Sequence, residues 1–426
     1  MAVRNLDHAP HETRLASRSV YPRDMGPTVA TESFAGRDAE TALLRNLVRE
    51  TVLGHGQCAL VEGEPGMGKS ALLASVRAEA GELGCQVFAA AADELGQEFP
   101  LRAMVDCLRV ADDTEDPRRA AICGRLRQEC SAGVAGTGED VVGAAEELLD
   151  LVDQACGRRP VLLVLDDLQW ADRASLLVWH RLCRSAEQLP LLVLGAYRPV
   201  PHRTELDQIR RGVRARGGVV HVLGPLDHCD ALRLVAARAG AASCGGELAW
   251  LADRAAGNPG YLTELADALL RDDRIRVSAG VAELSAADLG GRVPAALTTA
   301  IAGRLDFLSG QALATLRSAA LLGDEFSVHD LAVVLHRPAS DLLDALGEAV
   351  RAGVLAEAGS DLAFRYPLVR QALSDATPLA VRSALHREAA EALAATGAPP
   401  VLVARQLLAA ADTVDEWTLG WLADTA

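Results

Sequence analysis

Five short apolar runs punctuate the first half of the chain, separated by stretches whose apolar residues recur at helical spacing. The runs are CALVEG near 58–63, QVFAAA near 86–91, VLLVLDD at 161–167, LLVLGAY at 191–197 and VVHVLG at 219–224. Continuous apolar strands alternating with helices predict a parallel sheet covered on both faces. The segment from about 110 to 140 is charged, glycine-rich and weakly periodic, as expected of an insertion or a mobile helical excursion.

Beyond residue 226 the pattern turns helical, broken by AAGNPGY at 255–261. Residues 276–291 are rich in Ser, Ala and Gly and read as a linker. From 293 to 378 three amphipathic helical stretches precede GVLAEAGSDLAFRYP. There VLAEA and LAFRY flank Gly-Ser-Asp, which predicts a β-hairpin. Helices followed by a hairpin point to a winged-helix module. After 379 the helical pattern resumes.

Composition narrows the picture. Half of the 426 residues are hydrophobic but only 4% are aromatic, so the cores must be built from Ala, Leu and Val. Ala and Leu lose little on entering a helix. The formal charge is −16, which disfavours general binding to phosphate backbones while leaving room for a local basic groove. Nine cysteines are scattered with no C-x-x-C pair, against a disulfide framework or zinc site. They read as small apolar residues in a reducing cytosol. No apolar run reaches signal-peptide length near the start, or the roughly 20 residues of a membrane helix anywhere. A cytoplasmic protein with no membrane partner is expected.

The segment LVEGEPGMGKSALLASV has the form strand, G-x-x-x-x-G-K-S, helix. In such a P-loop, glycines let consecutive backbone N–H groups point at phosphates, and the helix start adds a positive dipole. Gly63, Glu64, Pro65, Gly66, Met67, Gly68, Lys69 and Ser70 make up the loop. Lys69 would neutralise the β- and γ-phosphates and the Ser70 hydroxyl would ligate Mg²⁺. ATP or ADP with Mg²⁺ is the expected ligand. Among 42 basic residues Lys69 is the one lysine. A GC-rich coding bias explains the arginines, but not why the exception falls here, where a compact ammonium fits and a planar guanidinium does not.

The run VLLVLDD puts Asp166 and Asp167 at the C-terminal edge of a buried strand, where ligands sit in open α/β sheets. Asp166 is expected to hold Mg²⁺ through water together with Ser70. Asp167 is a candidate to orient or deprotonate the attacking water. Arg198, just past LLVLGAY, is either a γ-phosphate sensor in cis or one exposed arginine among many. Asp172 reads as a helix N-cap. Arg210, Arg211, Arg214 and Arg216 read as a solvated helix face.

The motifs FAGRDAE, GEPGMGKS, VLLVLDDLQWAD, LVLGAYRP, AAGNPGYLTEL and FRYPLVRQAL occur in the order found in the signal-transducing STAND-type ATPases. Over roughly residues 33–395 the chain resembles the ATPase and winged-helix part of the large ATP-binding regulators of the LuxR family from actinobacteria. The resemblance implies that Gly36 and Arg37 pack near the nucleotide's base and phosphates. It implies that Asp166 and Asp167 form the acidic pair, that Arg198 is the first sensor, and that Asn258 and Pro259 match a motif whose proline packs on adenine. In that family a histidine before the hairpin's closing proline touches ADP; this chain has Tyr366, whose hydroxyl can still donate. The family continues into a helical-repeat sensor and a DNA-binding helix-turn-helix. This chain ends where the repeats would begin, as expected of a truncated or split protein, or of one that works without those parts.

The expected organisation is a disordered arm over 1–32, a P-loop ATPase domain over 33–225 and an all-α lid with linker over 226–290. A winged helix over 291–378 and the start of a TPR-like array over 379–426 follow. The expected function is a slowly ATP-hydrolysing switch in transcriptional control, working through a protein partner or self-association on ATP binding, with no specific DNA contact of its own. The alternatives are a non-hydrolysing nucleotide-binding scaffold and a regulator that binds DNA through its own winged helix.

Overall fold

The computed structural model describes residues 36–110, 117–132, 139–285, 295–410 and 416–425. The arm assigned to 1–32 and the end of the presumed linker lie outside them. Residues Ala35–Ala426 form one unit, within which every contact below falls.

All five apolar runs form strands: β1 (Gln57–Gly63), β2 (Gln86–Ala91), β3 (Val161–Asp166), β4 (Leu191–Tyr197) and β5 (Val219–Leu223). They pair in the order β2-β3-β4-β1-β5, every pair parallel. Every residue of β3 and β4 is buried, as their unbroken apolar sequences require. Gly195 on β4 is needed for close approach. A Cβ there would lie 2.5 Å from Leu168 Cδ1 and 2.9 Å from Trp179. The order seats β4 between β1 and β3, so the P-loop, the acid pair and Arg198 emerge along one edge of the sheet.

Where the sequence reads as an excursion, the described part is helical: Pro117–Ala132 packs against Glu139–Cys156. The next region holds helices His228–Arg238, Gly246–Asp253 and Pro259–Arg271, but it is not helical throughout. Three short strands, β6 (Ser243–Cys244), β7 (Ile275–Ser278) and β8 (Val281–Leu284), form a small sheet. The linker expectation thus fails over 276–284. Ala279 (φ 51°) and Gly280 (φ 79°) both adopt left-handed backbone and close a two-residue hairpin, with Ile275 and Ala282 buried behind it.

Four helices, not three, precede the second hairpin: Ala295–Gly303, Gly310–Leu322, Val328–Val334 and Leu343–Arg351. The hairpin itself is β10 (Leu355–Ala358) and β11 (Asp361–Phe364), antiparallel. A third strand, β9 (Glu325–Phe326), pairs with β11, and Phe326 packs on Phe364 with ring centroids 5.9 Å apart. Helices Pro367–Asp375, Leu379–Ala395, Pro400–Ala409 and Glu416–Thr425 complete the described chain. No helix among the described residues is long and apolar enough to cross a membrane. Five cysteines there are buried as expected, but Cys229 is exposed.

Candidate nucleotide-binding site

The loop after β1 turns through Gly66 (φ 82°) and Gly68 (φ 88°), left-handed conformations that a side chain would strain. Gly68 caps helix Lys69–Glu82 without a side-chain acceptor, so the first N–H groups of the helix face the loop's concavity. Lys69 lies in that concavity, 6% exposed. Its Nζ donates to the Gly63 carbonyl (2.7 Å) and the Glu64 carbonyl (3.0 Å). Burial, reinforced by Arg198, pulls its pKa down to about 8, against the opposing pull of Asp167, Asp166 and Glu64.

Residues far away in sequence hold the loop's outer side. The buried Arg37 guanidinium donates to the carbonyls of Met67 (3.2 Å) and Gly224 (2.6 Å) and pairs with Glu40 (2.8 Å). It therefore braces the loop from behind, tying it to the end of β5. Gly36 (φ 77°) abuts Asp230, and a Cβ there would lie 2.5 Å from that side chain. Asn258 is fully buried; its Nδ2 donates to the Pro65 carbonyl (3.0 Å) while Oδ1 caps Gly260 N and Tyr261 N. Gly260 N donates to the Gly66 carbonyl (2.8 Å), so the Asn-Pro-Gly turn is hydrogen-bonded to the loop directly. Pro259 opens helix Pro259–Arg271 at its first position, where a missing N–H costs nothing.

The acid pair ends β3 as the spacing predicts. Asp166 is 9% exposed, and its Oδ1 accepts from Asp167 N (2.8 Å). Burial and then the Asp167 charge push the Asp166 carboxyl above the usual carboxylate range, against the pull of Ser70 and Lys69. Asp167 sits in left-handed backbone (φ 51°), and its Oδ1 lies 3.3 Å from Arg198 Nε. That approach is an ion contact out of line for a hydrogen bond, since Arg198 Nε has no hydrogen-bond partner. Asp172 caps helix Arg173–Ser185, accepting from Ser175 N (2.8 Å).

The end of the β10–β11 hairpin closes on the same loop. Arg365 donates to Glu64 Oε1, and the Tyr366 hydroxyl donates to Glu64 Oε2 (2.6 Å). Tyr366 is 3% exposed and meets Tyr261 edge to face, centroids 5.1 Å apart. Burial first, then the Glu64 hydrogen bond and charge, push the Tyr366 phenol well up; burial takes Tyr261 to about 12. Tyr366 thus reaches the P-loop through its glutamate.

Sequence reasoning missed three residues here: Gln169, Arg365 and Tyr261. Gln169, fully buried, bonds both Asp167 and the backbone of Arg198. A signal for it existed, since a glutamine two residues past a strand-end acid pair is poorly placed for a core. Arg365 and Tyr261 gave no signal, because their partners, Glu64 and Tyr366, lie 301 and 105 positions away.

A family model for the AAA ATPase domain matches residues 33–194. Among solved structures, the Walker-type ATPase of Pyrococcus abyssi is similar with a TM-score of 0.52 at 16% identity, over 82% of this chain and 99% of that one. The ORC2 protein of Aeropyrum pernix, in ADPNP–ADP complexes, gives 0.49 at 15% identity over 86% and 97%. A STAND protein with a tetratricopeptide repeat sensor from Pyrococcus horikoshii gives 0.33 at 14% identity, over 92% of this chain and 50% of that one. No curated protein matches the chain. At these identities the structural likeness is one of fold. The chain has the P-loop NTPase fold, and its residues 33–194 match the AAA ATPase domain family model.

Proposed function

We propose that this protein is an ATP-driven signal-transduction switch. It binds ATP in the Gly63–Ser70 loop and hydrolyses it slowly to ADP and phosphate. Ser70 and Asp166 would hold Mg²⁺, Asp167 would handle the attacking water, and Arg198 would sense the γ-phosphate. The region 291–378 is read as a winged helix that closes over the nucleotide. The observation that carries this reading is the grip of Arg365 and Tyr366 on Glu64, one residue into the phosphate loop. A domain some 300 residues downstream holds the loop's one carboxylate, so opening that domain and rearranging the loop are one event. Transcriptional control through a protein partner or self-association on ATP binding is the output we assign.

Tyr366→Phe removes a hydrogen bond to a charged acceptor, a contribution of about 1.5–3 kcal/mol. The variant is expected to release ADP roughly 10-fold faster, the lower end of that range. Arg365→Ala should act in the same direction. The check is the off-rate of a fluorescent ADP analogue for parent and variants; parent-like release from both would remove the hairpin from the switch. A DNA titration tests the rival reading. No specific, salt-dependent promoter binding is expected from a chain of formal charge −16, and a footprint at physiological salt would favour the DNA-binding regulator.

A further inference from the structure

We propose that Gln169 is the positioning residue that sets the geometry of Asp167. The proposal rests on the reading of Asp167 as the group that handles water. Gln169 lies in the short turn after β3 and is fully buried, an unusual place for a primary amide with four hydrogen-bonding positions. Its orientation is fixed without ambiguity. The backbone N–H of Arg198 can only donate, and it does so to Gln169 Oε1 at 2.9 Å. The other end must then be the NH₂ group, and it donates to Asp167 Oδ1 at 2.7 Å.

One side chain therefore spans the ends of two adjacent strands, β3 and β4. It fixes the separation between Asp167 and the backbone that carries Arg198. The main chain of Gln169 is anchored as well: its carbonyl accepts from Gln97 Nε2 (3.0 Å) and Arg203 Nη1 (3.2 Å). Asp167 needs such a support. Its own backbone is left-handed, and its neighbour Asp166 is a second carboxylate of like charge. Both the Gln169 hydrogen bond and the Arg198 ion contact fall on Oδ1. The two contacts on one oxygen fix the orientation of the carboxylate.

The test compares Gln169→Glu and Gln169→Met with Asp167→Asn in single-turnover ATP hydrolysis, with ATP affinity measured alongside. Gln169→Glu keeps the acceptor for Arg198 N but turns the donor into a second negative charge facing Asp167. Its turnover should fall at least ~10-fold at pH 7. Gln169→Met, similar in shape but without hydrogen bonds, should lose turnover while keeping ATP affinity within about threefold, the ordinary scatter of a contact that does not touch ligand. A residue that only fills space would let Met substitute with turnover unchanged. If Asp167→Asn is inactive while both Gln169 variants keep the parent's rate, the positioning role is overturned. If Asp167→Asn itself turns over like the parent, the reading of Asp167 fails first.

Discussion

Lys69→Ala is expected to lose at least ~10²-fold in ATP affinity. The ammonium of a P-loop lysine reaches both the β- and γ-phosphates, and each charge-assisted hydrogen bond contributes about 1.5–3 kcal/mol. Two such bonds correspond to roughly 10²- to 10⁴-fold in dissociation constant. No other residue can stand in, because this is the chain's one lysine and the nearest guanidinium, Arg198, is engaged with Asp167. Lys69→Arg should fail too, since a planar fork cannot take the position of a compact ammonium among close backbone carbonyls. Calorimetry decides: parent-like affinity in Lys69→Ala would remove the loop from nucleotide binding. The pH dependence has a definite sign. In the free protein Lys69 titrates near 8, and bound phosphates would raise that value. Between the two values, binding takes up a proton. Affinity should therefore be flat below pH 8 and fall as pH rises above it, by up to about tenfold per unit.

Asp167→Asn is expected to slow ATP turnover by about 10²- to 10⁴-fold, the range for removing a general base, while leaving ATP affinity close to that of the parent. The amide still accepts the Gln169 hydrogen bond at Oδ1 and still fits the left-handed backbone, which Asn tolerates as well as Asp. The loss therefore reports on charge rather than on folding. Asp166→Asn should behave differently. Its carboxylate interacts with Ser70, the other residue proposed to hold the divalent cation, so its loss should raise the Mg²⁺ concentration needed for activity. Turnover measured against Mg²⁺ concentration for the two variants separates the roles; identical parent-like curves would make the acid pair structural.

The sheet was legible because β3 is apolar up to Asp166 and β4 is apolar along its buried length, a pattern that a doubly covered strand needs. The phosphate loop was legible because its glycines, lysine and serine are tied to chain geometry within eight residues. The hairpin over 275–284 was not: Ala279, rather than Asn or Asp, occupies the first left-handed turn position, and each flanking strand is only four residues long, with Arg276, Ser278 and Glu283 interrupting its apolar residues. The short helix Ala295–Gly303, apolar apart from Thr298 and Thr299, has no clear amphipathic face to mark it. The partners of Glu64 were invisible for a different reason. A carboxylate inside a loop motif has no local pattern that names an arginine and a tyrosine 301 and 302 positions away. Nor does Asn258 announce that it caps its own helix and holds Pro65 at the same time. Contacts of this kind are set by the packed whole, and they are the ones that make the loop part of a larger assembly.

The solitary amine of Lys69 gives this molecule a built-in chemical reporter. Apart from the chain's own α-amine, an amine-selective reagent has one destination, and a protease that cuts after lysine has one peptide bond to find. Access to both is governed by the same two carbonyls, Gly63 and Glu64, that hold the ammonium in place. The rate of labelling, or the appearance of two fragments on a gel, is then a direct clock for how often the phosphate loop unfurls. No mutation, fluorophore or engineered cysteine is required to read it.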